Sequence, residues 1–219
     1  MRIGVISLLF TALGIPLTAS AEIFRVTTLR AAPGQLSELI ETVQEYRAER
    51  RGRALAMRHS QGDHWDLMLI EPAGDNLQEQ PDFSAQSDYQ LSFIAESGAS
   101  FKGLLHQAEG AGLYHIEMFK ARAGQKAALL DQRARENQYL DDTGQPVNVV
   151  FTTRLGSDVD VFTLGFHRDW ASFGAGPAVT DTEAEAAARE AGFANREDIG
   201  LYLRSLLTRH QDTLAVPVD

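Results

Sequence analysis

Cysteine is absent from this sequence of 219 residues. Its absence excludes disulfide bonds, thiolate nucleophiles, and zinc or iron–sulfur centres held by thiolates. Basic residues are also scarce, because 20 Lys and Arg stand against 30 Asp and Glu, for a formal net charge of −10. A nucleic-acid surface needs clustered cations, and the one short basic cluster, Arg50 to Arg53, is typical of a solvated loop. We therefore expect no nucleic-acid partner.

Several catalytic motifs are missing as well. The sequence has no Gly-x-Ser-x-Gly elbow, no dinucleotide- or phosphate-binding loop, and no His-Glu-x-x-His helix. These absences argue against serine hydrolases of that type, nucleotide-dependent enzymes and zincin metalloproteases. They leave no motif that indicates a cofactor.

One apolar run stands at the N-terminus. Arg2 precedes the run from Ile3 to Ile15, and Ala19-Ser20-Ala21 then matches the small-x-small pattern that signal peptidase reads. The run is shorter than the roughly 20 residues that span a bilayer. We predict a signal peptide over residues 1–21, cleaved after Ala21, and a periplasmic or secreted protein with no membrane association after cleavage.

The rest of the chain repeats itself. Residues 23–35 (IFRVTTLRAAPGQ) align with residues 113–125 (LYHIEMFKARAGQ). Each copy passes from a strand-like run through a Gly-Gln turn into a segment free of Gly and Pro. These segments predict helices over residues 36–49 and 126–140.

The remaining segments complete a matching pattern in each copy. Apolar runs predict a second and a third strand, joined by a hairpin with Gly62 or Gly156 in its turn. The predicted strands are 54–57 and 65–71 in the first copy and 148–151 and 159–165 in the second. Helical segments are expected at 83–107, 182–191 and 195 to about 211, and a closing strand at 214–216.

The order strand–helix–strand–strand–helix–strand is that of the split βαβ, or ferredoxin-like, unit. The third strands are apolar on both faces, for example at Leu67 and Met68. Helices can cover only one face, so the other face must be buried against the second sheet. We predict an α+β fold of two tandem ferredoxin-like (split βαβ) repeats, residues 22–110 and 111–219, whose antiparallel sheets pack as an intramolecular α+β barrel. The second repeat would carry an extra C-terminal helix.

This repeated opening of strand, Gly-Gln turn and helix, followed by a hairpin, resembles the dimeric α+β barrel superfamily in a form fused into one chain. The resemblance covers most of residues 22–219, and the opening is similar to those of the antibiotic-biosynthesis-monooxygenase and NIPSNAP-like branches. It implies a fold shared by cofactor-free oxygenases, isomerases, haem enzymes and proteins without known activity. Because fusion already joins the two sheets, we expect a monomer or a homodimer.

Polar residues that replace apolar ones in the second copy indicate a pocket. Val43 on the first helix becomes Arg133, and a buried guanidinium needs a carboxylate or a ligand. Glu117 and Glu136 are the nearest carboxylates in the sequence. The alternative is a structural ion pair at the helix–sheet edge, or an Arg133 head group that reaches water.

Other polar positions extend this candidate site. His115 and Glu117 stand two residues apart on a strand and therefore share a face. Asn137 follows Arg133 by one helical turn, and Asn148 replaces an alanine of the first copy. We assign His115, Glu117, Arg133 and His210 as candidate catalytic residues, and Asn137, Asn148 and Phe162 as candidate substrate-binding residues.

His210 enters this set because it continues an apolar stripe at helical spacing. The stripe consists of Ile199, Leu203, Leu206 and Leu207. Pointing inward from a late helix, His210 would act as a general base or ligate haem iron, and His106 is its counterpart in the first copy. The alternative is a helix-end histidine held by Asp212.

Two further groups of polar residues are present. His59 and His64 flank a turn with Asp63 or Asp66, a set that suits zinc or non-haem iron, but the second copy lacks both histidines. No metal site is therefore predicted. A second group, His167, Asp169 and Trp170, ends a strand and either lines the barrel mouth or lies in an exposed loop.

The leading hypothesis is an exported protein that binds a small, largely apolar organic molecule and resembles a cofactor-independent monooxygenase or isomerase. His115 or His210 would act as the base, and Arg133 and Asn137 would hold an enolate or oxyanion. The alternatives are a non-catalytic binding or assembly module with structural polar residues, and a haem protein with His210 or His106 as axial ligand.

Overall fold

The computed structural model describes residues 21–61, 64–74 and 81–218. The signal-peptide prediction, except for Ala21, and the predicted turn at Gly62 and Asp63 lie outside these residues. The first half of the chain contains β1 (Glu22–Ala31), α1 (Leu36–Glu49), β2 (Leu55–Gln61), β3 (Leu67–Pro72), β4 (Ser87–Ser97) and α2 (Phe101–Ala108). The second half contains β5 (Leu113–Ala121), α3 (Lys126–Asp142), β6 (Val149–Leu155), β7 (Val161–His167), α4 (Trp170–Gly174), α5 (Asp181–Glu190), α6 (Arg196–Leu206) and β8 (Leu207–Pro217).

The strands form one closed antiparallel barrel in the order β1-β3-β2-β8-β5-β7-β6-β4. Each half supplies a four-stranded sheet of ferredoxin-like order, and the two sheets are joined edge to edge. β4 of the first half pairs with β6, and β8 of the second half pairs with β2. The predicted α+β fold class, with two repeats closing into an intramolecular barrel, is confirmed.

Alternate side chains of the strands fill the interior of the barrel. This core unites both halves, because Phe24 of β1 contacts Phe151 of β6, with ring centroids 5.4 Å apart. Phe151 in turn stacks on Phe162 of β7 at 4.4 Å. A protein with two half-buried sheets would need two cores, whereas here the inner faces of both sheets share one.

The helices cover the outer faces of the sheets. α1 packs on the first-half sheet through Leu39 and Val43, which are fully buried. On the second half, α3 packs against α5 and α6 as well as the sheet, and Tyr139 of α3 contacts the alanine face of α5. The outer face of the second-half sheet is therefore covered by more than one helix.

Gly156 makes the tight turn between β6 and β7 with a φ of +89°. A Cβ there would lie 3.1 Å from the Ser92 carbonyl oxygen and from Phe93 Cα, so a side chain would collide with β4. The glycine therefore serves both the turn and the close approach of β4, and the turn predicted at this position is confirmed.

The helical segment predicted over residues 83–107 is wrong in its first part. Residues 87–97 form strand β4, and only residues 101–108 are helical. Tyr89, Leu91 and Phe93 stand at every second position, the period of a strand rather than a helix. Ser100 caps α2 by accepting a hydrogen bond from the Gly103 amide, which fixes where the helix begins.

The helix predicted from residue 195 to about 211 is also wrong in its last turn. α6 ends at Leu206, and β8 begins at Leu207 and runs to Pro217. Asn195 caps the start of α6, as the sequence pattern suggests. His210 therefore lies on a strand and not on a late helix, and the closing strand is longer than the three residues predicted.

Across the described part of the chain, no helix combines the length and apolar character needed to cross a membrane.

Candidate functional site

The second-half sheet carries a row of polar side chains on its outer face. The register of β5, β7 and β8 places Glu117 beside Thr163 and Asp212, and Phe119 beside His210. His115 lies one step further along β5, opposite Gly165 of β7. Because side chains on a strand alternate between faces, His115 and Glu117 both point away from the barrel core.

Four of these side chains form a connected cluster, which we call the His–carboxylate cluster: His115, Glu117, His210 and Asp212. The Nε2 atom of His210 lies 3.2 Å from Glu117 Oε1 and 3.4 Å from Asp212 Oδ1. The Nε2 atom of His115 lies 3.2 Å from the same Asp212 oxygen. One ligand-type atom from each of His115, Glu117 and Asp212 falls within 4.8 Å of the other two. Two imidazoles and two carboxylates thus converge on one small region.

Arg133 supports this cluster from the helix side. Its side chain is 1% exposed, and its Nη1 donates to Glu117 Oε2 at 3.2 Å. Nη2 donates to Glu136, and Nε donates to Gln132 Oε1 at 2.7 Å. The predicted pairing of Arg133 with Glu117 and Glu136 is confirmed, and the arginine that reaches water is excluded.

The environment sets the charge of the cluster. Burial disfavours ionisation of Glu117, yet the hydrogen bond from His210 and the charge of Arg133 together hold its pKa below the ordinary value. Hydrogen bonds from His115 and His210 lower the pKa of Asp212. Hydrogen bonds to Asp212 and Glu117 raise the pKa of His210 to about 9, so this imidazole is a cation at neutral pH.

A cleft of about 820 Å³ opens beside the cluster, between β5, β7, α3 and the chain from residue 167 to residue 178. His115, Glu117, Glu136, Asn148 and His167 supply polar groups to its wall, and Phe173 supplies an aromatic ring. The Phe173 ring lies 5.2 Å from His115 and 5.0 Å from His167, centroid to centroid. Such a mixed wall around a cavity of this size is typical of small-molecule sites.

His167 is the imidazole in this wall that is both neutral and unengaged. Burial lowers its pKa, and the nearby His115 lowers it further. Its Nδ1 is buried and has no hydrogen-bond partner among the described residues. Of the three residues predicted at a barrel mouth, His167 lines the cleft, Asp169 caps α4 through Ser172, and Trp170 is exposed.

Comparison of the two halves shows how the wall of the cleft differs from the matching part of the first half. Gly165 occupies the position that Glu71 holds in β3, since both lie opposite the equivalent residues of β5 and β1. In the first half Glu71 is buried, pairs with Arg25 at 3.3 Å and accepts a hydrogen bond from Tyr46 at 2.8 Å. In the second half the glycine has no side chain, and Asn148 and His167 approach it instead.

Gly165 also permits a close approach of neighbouring side chains. A Cβ at this position would lie 2.6 Å from Asn148 Oδ1 and 3.2 Å from His167 Nε2. Asn148 is held in place by Asn137, whose amide nitrogen donates to the Asn148 carbonyl at 2.7 Å and whose oxygen accepts from the Asn148 amide at 2.9 Å. Asn137 thus positions the start of β6, and Asn148 lines the cleft.

Glu136 completes the wall on the α3 side. Burial raises its pKa, and the charge of Glu117 adds to this effect against the opposing pull of Arg133. Sequence reasoning named Glu136 only as a partner for Arg133 and gave His167 and Phe173 no catalytic or binding role. The signal for Glu136 was its position one turn after Gln132, on the same face of α3 as Arg133 and Leu129.

The structure separates Phe162 and His106 from this site. Phe162 is fully buried inside the barrel and therefore lies on the opposite face of the sheet from Glu117. His106 is 83% exposed on α2 and pairs with Glu109. The His210 Nε2 atom faces two carboxylates and its ring stacks on Phe119 at 4.8 Å. Neither histidine presents a free nitrogen to a cavity, so neither fits the axial haem-ligand role predicted for it.

His59 and His64, on either side of the hairpin turn, contact aromatic side chains. The His59 ring packs near Trp65 at 5.8 Å, and the His64 ring packs on Tyr89 at 5.3 Å. Asp66 accepts a hydrogen bond from the Ala31 amide. Asp63 lies outside the described residues.

Solved structures provide an independent comparison. An anthrone oxidase-like protein superposes over 93% of this chain and 94% of its own length, with a TM-score of 0.62 and 11% sequence identity. A proposed monooxygenase from Fusobacterium nucleatum covers 91% and 93%, with a TM-score of 0.58 and 9% identity. A chlorite dismutase variant from Candidatus Nitrospira defluvii covers 91% and 94%, with a TM-score of 0.52 and 12% identity.

The chain has the dimeric α+β barrel fold. The fold that the resemblance implied is thereby confirmed, and the barrel is monooxygenase-like in architecture. No protein-family model and no curated protein sequence matches the chain. At these identities the neighbours establish the fold alone.

Proposed function

We propose that this protein is an enzyme that takes a small, largely apolar organic molecule into the second-half cleft and removes a proton from one of its carbon atoms. The observation that carries the proposal is the cleft wall itself. It combines the His167 imidazole, whose Nδ1 has no hydrogen-bond partner among the described residues, with Glu117 and Glu136, the members of the buried ionic network that line the cleft. Enolisable ketones and phenols suit such a wall, because their anions place charge on oxygen.

His167 is the proton acceptor in this proposal. A general base must be neutral before the reaction, and His210 is a cation at neutral pH, which excludes the base role first expected for it. The Nε2 atom of His115 is engaged by Asp212. His167 lines the cleft, and burial and the neighbouring His115 lower its pKa.

The groups that stabilise the developing anion must lie in the cleft wall. Arg133 is too buried to touch a ligand, so it acts by positioning Glu117 and Glu136 and not as the oxyanion donor first expected. Asn137 is likewise engaged with the Asn148 backbone. The side-chain amide of Asn148, in the wall, is the group that donates to the developing anion in this proposal.

Anthrone is a suitable probe, because one structural neighbour is named an anthrone oxidase-like protein. Loss of a proton from its methylene carbon sends the electron pair to the carbonyl oxygen and gives an enolate. The enolate then reduces dioxygen, and the overall reaction is anthrone plus O₂ to anthraquinone plus water. An isomerase would instead return a proton to another carbon of its substrate.

The experiment measures the two steps separately. Under nitrogen, proton–deuterium exchange at the anthrone methylene reports base catalysis, and in air, oxygen consumption with anthraquinone formation reports oxygenation. We expect His167→Ala to lower both rates about 100-fold or more, while the control His106→Ala, at an exposed position outside the cleft, leaves both unchanged. Equal exchange rates for the wild type, His167→Ala and buffer would overturn the proposal.

A non-catalytic module is the second candidate, and one observation favours it. Every polar group of the Arg133 side chain has a partner within the protein, as expected of a structural ion pair. This candidate gives no exchange and no ligand-dependent stabilisation. A Soret band in the purified protein would instead favour a haem protein.

We further propose that residues 1–21 direct export to the periplasm or medium. The supporting pattern is the apolar run followed by Ala-Ser-Ala. Mass spectrometry of the exported protein should give an N-terminus at Glu22, and retention of Met1 would contradict the proposal.

A further inference from the structure

A second kind of chemistry is available in the His–carboxylate cluster. Within the described residues, His115, Glu117 and Asp212 each offer one nitrogen or oxygen atom within 4.8 Å of the other two. These residues are spread over β5 and β8, which are adjacent strands in the barrel but lie more than 80 residues apart in the sequence. The fold, and not local sequence, brings them together.

The spacing of these atoms is close to that of ligands around one small ion. Bonds of about 2.0–2.2 Å keep any two ligands of an ion no more than roughly 4.4 Å apart, and about 3.4 Å apart in a tetrahedron. The His115 Nε2 to Asp212 Oδ1 distance is 3.2 Å. That is longer than the approximately 2.7–2.9 Å of a charge-assisted hydrogen bond. Side-chain movements well below 1 Å would bring the three atoms onto an ion.

The groups behind Glu117 hold its Oε2 atom, while Oε1 contacts His210 inside the cluster. Oε2 accepts hydrogen bonds from Arg133 at 3.2 Å and from Thr163 at 3.1 Å, whereas Oε1 faces the cluster. Partners of this kind orient metal-ligating carboxylates in known sites. Thr163 is itself buried in β7, so this orientation is fixed by the sheet.

The cluster also has the charge and the access that a cation requires. Glu117 and Asp212 bring two carboxylates to one region. Asp212 is 58% exposed, and it lines a shallow cavity of about 410 Å³ together with His115 and Phe173. A divalent ion can therefore enter from solvent and reach both carboxylates.

We propose that His115, Glu117 and Asp212 bind one divalent first-row transition-metal ion, with its open coordination positions toward the cleft. One nitrogen and two carboxylate oxygens suit Zn²⁺, Mn²⁺ and Fe²⁺ more than soft thiophilic ions. The site goes beyond the proposed function and does not depend on it. A bound ion would act there as a Lewis acid on a substrate oxygen.

The test uses the protein of residues 22–219 after dialysis against EDTA and then against metal-free buffer. Isothermal titration with ZnCl₂ should give one site per chain, and CoCl₂ should give visible absorption bands of coordinated Co²⁺. Asp212→Asn is the first variant, because Asp212 is exposed and its amide isostere keeps the fold. We expect it to weaken Zn²⁺ binding about 100-fold or more.

His115→Asn provides a second variant, and His106→Ala provides the matched control at an exposed histidine that also has a carboxylate neighbour. We expect His115→Asn to weaken binding by a similar factor and His106→Ala to leave it unchanged. Absence of stoichiometric Zn²⁺ binding by the wild type, or wild-type affinity in Asp212→Asn, would overturn the proposal. These readouts do not involve turnover, so a failed metal site and a failed catalytic proposal are distinguishable.

Discussion

Arg133 is the residue on which the second half differs most from the first. Its counterpart Val43 is fully buried in an apolar contact, whereas Arg133 is buried between two carboxylates and lies 4.9 Å from the centroid of Phe119. A buried charge is tolerated only when it is paired with an opposite charge. Loss of one member of this ionic network therefore destabilises the members that remain.

Arg133→Ala should therefore reduce the free energy of unfolding by about 3–5 kcal/mol, because Glu117 and Glu136 lose the buried cation that they share. Urea denaturation followed by circular dichroism measures the change. Arg135→Ala on the same helix is the control, since its pair with Asp131 is solvent-exposed and should cost less than about 1 kcal/mol.

The first half suggests a compensating change. Replacing Arg133 by valine and Glu117 by threonine gives the residues found at these positions in the first half, Val43 and Thr27. The double variant should recover about 1–3 kcal/mol relative to Arg133→Val alone. Strict additivity of the two single substitutions would show that the pair is not coupled.

The absence of a side chain at Gly165 allows Asn148 and His167 to take their places in the cleft wall. A methyl group there would meet Asn148 Oδ1 at 2.6 Å, so Gly165→Ala should displace Asn148 or His167 and cost about 1–3 kcal/mol of stability. Anthrone binding, followed by ligand-dependent thermal shift, should be lost. Gly200→Ala on α6 is the control, because no atom lies within 4 Å of its added methyl group; loss of binding in that variant too would point to a global effect.

At the residue scale, the sequence predicted the ion pairs of Arg133 but did not predict His167 as the proposed base. Arg133, Glu117 and Glu136 were predictable, because a charge inside an apolar stripe demands partners. His167 was not, because its pKa is lowered by burial and by His115, which lies close to it only in the folded chain. Phe162 was placed on the wrong side of the sheet, since strand alternation alone does not say which face meets a helix.

At the scale of elements, the error at β8 arises because polar residues hide the strand. β8 carries Thr208, Arg209, His210, Gln211 and Asp212 in succession, so no apolar alternation marks it. The apolar stripe of α6 runs directly into Leu207, which extended the predicted helix. Both faces of β8 carry polar residues. One face contributes His210 and Asp212 to the His–carboxylate cluster, and the other contributes Arg209 and Gln211 to a cavity at the end of the barrel.

The junction between α3 and β6 depends on one side chain. Asn137 makes two hydrogen bonds to the backbone of Asn148, so Asn137→Ala leaves a part-buried amide and carbonyl without partners. We expect a loss of about 1–3 kcal/mol in stability and faster hydrogen exchange at the start of β6. Gln138→Ala, on the exposed side of α3, should change neither quantity.

At the scale of the whole molecule, the repeat in the sequence was sufficient to predict the barrel. Matching openings in residues 23–35 and 113–125 implied equal units, and apolar alternation on both faces of the strands implied that the sheets meet. The pairing of β4 with β6 and of β8 with β2 could not be predicted from the sequence. The register between strands so far apart in the chain is set only when the barrel closes.

Separation of the halves tests this closure. Fragments 22–110 and 111–219 each retain a four-stranded sheet but expose two unpaired edges and an apolar inner face. We expect each fragment to self-associate and an equimolar mixture to form a 1:1 complex, as measured by size-exclusion chromatography with light scattering. A stable, folded monomer of either fragment would contradict the shared core.

The position of β8 in the chain has a consequence for the timing of assembly. A polypeptide is made from its N-terminus, so β8 emerges after every other strand of the described structure. Until it inserts between β2 and β5, the ring has a gap, and neither His210 nor Asp212 has reached the cluster. Insertion of this one strand therefore completes the barrel wall and delivers half of the His–carboxylate cluster in a single event.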